Sequence, residues 1–75
     1  MVSEMNKYLI VLEKTVTGYS AYSPDLLGCV STGSTAPETV KNMQEAIEFH
    51  IEGMKLEGIA IPLPQTQSAY IEVAA

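Results

Sequence analysis

Residues 19–35 read YSAYSPDLLGCVSTGST, and three structural signals are compressed into them. Tyr19 to Ser23 alternates aromatic with small residues, the period-2 pattern of a strand with one face inward. Pro24-Asp25 ends that strand, because proline lacks the N–H a ladder needs and aspartate readily bonds the backbone that follows it. Leu26 to Thr32 predicts a third strand, with Gly28 where the chain needs a bulge or an unusual dihedral. Thr35 then opens Thr35-Ala36-Pro37-Glu38, a capping box with proline inside the first turn, so a helix is expected from about Ala36.

On the N-terminal side, Lys7 to Thr15 mixes β-branched and aromatic residues. Tyr8, Ile10 and Leu12 fall on one face and Leu9 and Val11 on the other. A turn at Thr17-Gly18 joins this strand to Tyr19–Ser23 as a hairpin. Residues 1 to 6 carry no pattern and are expected to fray. On the C-terminal side, Val40, Met43, Ile47, Ile51 and Met54 recur at spacings of three and four. They form an apolar helical stripe that Ala46, Phe49 and Leu56 widen. Gly58 supplies a left-handed cap, and Pro62 and Pro64 prevent continuation. Ala69 to Val73 alternates once more and predicts a last strand.

The expected fold class is therefore α+β in the order βββαβ. Three strands make an antiparallel meander, one helix packs on the sheet, and a fourth strand follows the helix. Residues 1–75 read as one domain without repeat or linker. With a helix on one face only, the other face is left as a docking surface for a second copy or another protein.

A domain this small buries only about 60% of the surface its unfolded chain exposes and usually needs reinforcement. Cys29 is the single cysteine, which excludes an internal disulfide, and Cys29 with His50 falls short of a structural zinc set. Self-association is the remaining remedy. The net charge of −5 disfavours direct contact with nucleic acid and suits a basic partner. The longest apolar run, Tyr8 to Leu12, is too short to cross a bilayer. No charged-then-apolar leader is evident and the thiol is free, so the expected compartment is the cytoplasm.

The chemistry-bearing residues assemble no active site in sequence. Cys29 as a nucleophile requires a base and an electropositive setting, and a small buried strand residue is the simpler reading. His50 stands at the border of the apolar stripe, as a packed histidine does. Glu45, Glu48 and Glu52 share one helix ridge at spacings of three and four, which reads first as a solvated face. Asp25 suits a turn bond or a partner contact. No phosphate-binding loop is present. No catalytic residue, cofactor or metal is expected. The competing class, a metal-dependent hydrolase, needs converging carboxylates, and only Glu13, Asp25 and Glu72 lie in or beside strands.

With these residues in place, the chain resembles the HicB-like antitoxins, which are paired with small RNA-cleaving toxins. The resemblance rests on Tyr19 to Ser23, on Pro24-Asp25-Leu26-Leu27-Gly28-Cys29, and on Gly33-Ser34-Thr35. Glu45-Ala46, Gly58, Ile61-Pro62 and Pro64 extend it along the chain. The family pattern has proline where Leu27 stands and commonly aspartate where Ser34 stands. The resemblance implies a partial ribonuclease-H-like domain without nuclease carboxylates, a dimer or tetramer, that binds a small basic HicA-like toxin. Asp25, Glu45, Glu48 and Glu52 are the expected partner-binding residues. Many family members add a C-terminal DNA-binding segment. Here no such module is expected after the last strand, and with it no direct DNA contact. An orphan oligomer without a toxin is the alternative that the sequence leaves open.

Overall fold

The computed structural model describes residues 6–75. The expectation of fraying over residues 1 to 6 therefore lies, apart from Asn6, outside the described residues. Three antiparallel strands, β1 (Val11–Lys14), β2 (Tyr19–Ser23) and β3 (Leu26–Gly33), precede one helix, α1 (Ala36–Leu56). The sheet order is β1-β2-β3, the meander expected from the sequence.

The hairpin closes through residues 15–18, between the paired Lys14 and Tyr19. Thr15 binds across this loop twice: its N–H donates to the Gly18 carbonyl at 2.8 Å, and its Oγ1 accepts from the Gly18 N–H at 3.1 Å. Glycine is required at position 18 because a Cβ there would collide with the Gly33 carbonyl at the start of the turn into the helix.

Between β2 and β3 the register shifts: Tyr22 faces Val30 while Ser23 faces Leu26. Of the three residues left over, Leu27 and Gly28 bulge outward while Cys29 turns inward, and Gly28 absorbs the bend at φ +79°. Bulging lets two inward side chains, Leu26 and Cys29, enter the core although they lie three residues apart.

The helix begins and ends as its local sequence dictates. Thr35 Oγ1 accepts from the Glu38 N–H at 3.2 Å, while Glu38 Oε1 accepts from the Ser34 N–H at 3.2 Å. The capping box thus reaches one residue further back than its usual reciprocal partner. At the other end Gly58 takes φ +70°. The Gly58 N–H donates to Lys55 O at 3.2 Å and the Ile59 N–H to Met54 O at 2.9 Å, the paired bonds of a Schellman cap.

Ala21, Leu26, Cys29 and Met43 form the buried core, with Tyr8, Ile10, Ala46 and Ile47 packed around it. Thr39 is also fully buried, and its hydroxyl donates to Thr35 O at 2.7 Å. Asn42 Nδ2 donates to Thr32 O at 2.9 Å and clamps helix to sheet.

Three expectations are corrected. First, β1 begins at Val11 and not at Lys7. Tyr8 and Leu9 are held by side-chain bonds in place of a ladder: Tyr8 OH donates to Pro62 O at 2.6 Å, and Ser23 Oγ donates to Leu9 O at 3.0 Å. Second, Phe49 and Leu56 do not widen the core stripe. Each is 82% exposed, because a sheet of three strands about 4.8 Å apart is too narrow to cover a second helix face. Third, Ala69–Val73 forms no fourth strand. It pairs with no strand among the described residues, and a strand exists only with a ladder partner.

Candidate functional site

The outward face of α1 concentrates unusual chemistry. Glu45, Glu48 and Glu52 all stand exposed along one ridge. Phe49 lies four residues after Glu45 and three before Glu52, so helical geometry sets the aromatic ring among the carboxylates. Leu56, two turns beyond Phe49, continues the apolar line, and Glu48, Ile51, Glu52, Lys55 and Leu56 border a shallow depression beside it. Phe49 and Leu56 thus stand in solvent, each 82% exposed, beside the three carboxylates. Sequence reasoning placed the three glutamates on this ridge but assigned Phe49 to the core.

Asp25 is placed differently. It sits in the β2–β3 turn, and its carboxylate is occupied from within the chain. Oδ2 accepts from the Gln65 and Thr66 N–H groups at 3.2 and 3.1 Å, and Oδ1 accepts from Thr66 Oγ1 at 2.8 Å. The Thr66 hydroxyl, foremost, holds the Asp25 carboxyl below its ordinary value of 3.8; desolvation opposes it, and the Thr66 and Gln65 backbone donors add to the lowering. The structure therefore does not bring Asp25 together with the glutamate ridge. It makes Asp25 the anchor that straps residues 65–66 to the end of the sheet.

The sheet face away from the helix carries a second surface. Val11 pairs with Tyr22 and Tyr22 with Val30, which sets three apolar side chains in a row across the strands. Glu13, Ser20 and Thr32 form the next row and are polar. Tyr22 and Val30 are 41% and 65% exposed.

The candidate catalytic groups do not converge. Glu13 lies near the hairpin loop, Asp25 in the turn at the opposite end of the sheet, and Glu72 in the exposed segment beyond Thr66. Among the described residues no three His, Cys, Asp or Glu side chains are grouped so as to hold a metal ion. Cys29 and His50 line one groove between β3 and the helix. Burial pushes the Cys29 thiol above its ordinary value of 9.0, so at neutral pH it is a protonated thiol and not a thiolate nucleophile. No helix among the described residues is long and apolar enough to cross a membrane.

Comparison with known proteins settles the family. Residues 8–74 match the model of the HicB_like antitoxin of bacterial toxin-antitoxin system. The chain belongs to the HicB-like antitoxin family. It is 42% identical over 64 residues to a 14.9 kDa protein of the rep-hol intergenic region of Haemophilus phage HP1, a match covering 85% of this chain and 48% of that protein. It is 40% identical over 60 residues to a UPF0150 protein of Synechocystis, covering 79% of this chain and 76% of the relative. The chain thus spans about half the length of the phage relative. Among solved structures, a chain of a HicA3 and HicB3 toxin-antitoxin complex superposes with a TM-score of 0.70 at 40% identity, over 80% of this chain and 70% of that one. The family match runs through the Pro62–Thr66 strap and the segment beyond it.

Proposed function

We propose that this HicB-like chain neutralises a small basic HicA-like RNA-cleaving toxin by binding it, without catalysis of its own, in the cytoplasm and as a dimer or tetramer. The observation that carries the reading is the 40% identity to a protein solved in a HicA3 and HicB3 complex, over 80% of this chain. The surface supports it. A net charge of −5 complements a basic protein, and the glutamate ridge concentrates part of that charge around exposed apolar side chains.

In this account Phe49 and Leu56 are the anchors, desolvated on binding, and Glu45, Glu48 and Glu52 steer the approach and set orientation. Asp25 contributes indirectly, by fixing residues 65–66 at the end of the sheet. The hydrolase alternative has little support, since its carboxylates stand apart. An orphan oligomer without a toxin gains some from the apolar surface left exposed beyond Thr66.

Co-expression with a HicA-like toxin, affinity capture and a binding titration test the proposal. A stoichiometric complex is expected. Phe49→Ala should weaken it by about 2 kcal/mol or more, roughly 30-fold, while the fold stays intact. Glu48→Lys with Glu52→Lys should slow association most at low salt. Unchanged affinity in both variants moves the interface off the helix, and absence of any complex favours the orphan oligomer.

A further inference from the structure

The segment after Thr66 has the sequence pattern of a strand and pairs with nothing among the described residues. Ala69, Ile71 and Val73 alternate with Tyr70 and Glu72. Yet Tyr70 is 104% exposed, Ile71 83% and Val73 77%. Such a run is among the costliest surfaces a small domain can leave in water. Its course is not a loose end, because the chain just before it is fixed twice. Tyr8 holds the Pro62 carbonyl, and Asp25 holds Gln65 and Thr66. From these anchors the arm leads away from the body. The molecule is 48 Å long against 27 and 23 Å in the other directions. Its radius of gyration is 14.4 Å, where a compact chain of this length gives about 11 Å.

The body carries a matching vacancy. Among the described residues β1 pairs only with β2, which leaves its outer edge with unpaired backbone donors and acceptors there. Next to the residues that lead into β1 runs a mostly apolar groove between the N-terminal segment and the helix, bordered by Tyr8, Ile10, Ile47 and Ile61, with Glu48 and Lys55 on its rim. Ile61 belongs to the strap that leads into the arm, so the groove and the arm's root are adjacent. Five extended residues span about 16 Å, which fits alongside residues 8–14 at about 23 Å.

We infer that Ala69–Val73 of one copy lies along the β1 edge of a second copy, with Ala69, Ile71 and Val73 over its helix groove, and that the exchange is reciprocal. A two-fold arrangement lets each copy give one arm and receive one, so every exposed strand and edge in the pair is satisfied at once. The second copy is the occupant because the near-complete exposure of Tyr70, Ile71 and Val73 and the elongated shape leave the arm clear of its own groove although its root lies beside it. The inference rests on the self-association in the proposed function and gives it an interface, while its test uses no toxin.

The wild-type chain alone tests it. Light scattering should give twice the 8.1 kDa chain mass, and hydrogen exchange should show slow amides at residues 70–73 and along β1. Ile71→Asp with Val73→Asp should return the mass to that of one chain and free those amides, with helix content by circular dichroism unchanged. A monomer with protected arm amides would mean that the arm folds onto its own β1. A dimer whose arm amides exchange freely would mean an interface elsewhere, and a monomer with free amides would mean no exchange. Each of the three overturns the inference, and none needs the variant to fold.

Discussion

β2 and the segment Ala69–Val73 are both five residues long and both alternate, yet they meet opposite fates. β2 lies between two neighbours and buries Ala21 and Ser23 to within a few percent of full burial. Ala69–Val73 is exposed from end to end. The difference does not lie in propensity, because Ile71 and Val73 are better strand formers than Ser20 or Ala21. It lies in loop closure. β2 is joined to β1 and β3 by short turns that Gly18 and the Gly28 bulge make feasible, whereas Ala69–Val73 follows a helix and a strap that end at the sheet's corner. A strand is a relation between segments, and among the described residues only β2 has its partners.

The comparison is broken most forcefully in the core. Met43→Ala removes a fully buried side chain beneath β2 and should cost about 2–5 kcal/mol in urea unfolding. Ile71→Ala, measured where the chain is monomeric, should change stability by less than about 0.5 kcal/mol. Equal losses would mean that the arm is packed in the monomer after all. If the arm is exchanged, the Ile71→Ala effect grows with protein concentration while that of Met43→Ala does not.

A smaller effect is expected at the hairpin loop. Gly18→Ala brings a Cβ against the Gly33 backbone carbonyl, which cannot swing aside as a side chain can. A loss of about 1–3 kcal/mol is expected from thermal or urea unfolding. Unaltered stability would show that the loop and the Gly33 corner are free to separate, and that β2 is less tightly placed than its close contacts indicate.

The smallest effect concerns the root of the arm. Because the folded Asp25 carboxyl sits below its ordinary 3.8, its strap contributes fully above that pH and is lost as pH falls through the lower folded value. Asp25→Asn should remove this acid dependence. In an NMR titration the Thr66 amide of the wild type should move at a pH below 3.8 and that of the variant should not. A wild-type midpoint at or above 3.8 would detach the arm's root from Asp25.

Much of the fold was legible because its signals are local. Thr35 and Glu38 cap the helix within four residues, Gly58 ends it, and Gly28 bends where the strand needed a special dihedral. What escaped was set by contacts distant in sequence. Nothing near Asp25 announces a bond to Thr66, 41 residues away, and nothing near Tyr8 announces Pro62. Phe49 misled for a related reason, since periodicity tells which residues share a helix face but not how wide the sheet beneath it is. The glutamate ridge was visible as charge, and its reading as a binding patch became available only when Phe49 and Leu56 appeared beside it at the surface.

The most direct test is to titrate the purified chain into a purified HicA-like ribonuclease and follow RNA cleavage. The account predicts that cleavage falls to background at a fixed stoichiometry, and that Phe49→Ala requires a large excess to do the same. Cleavage that continues undiminished at saturating antitoxin would contradict it.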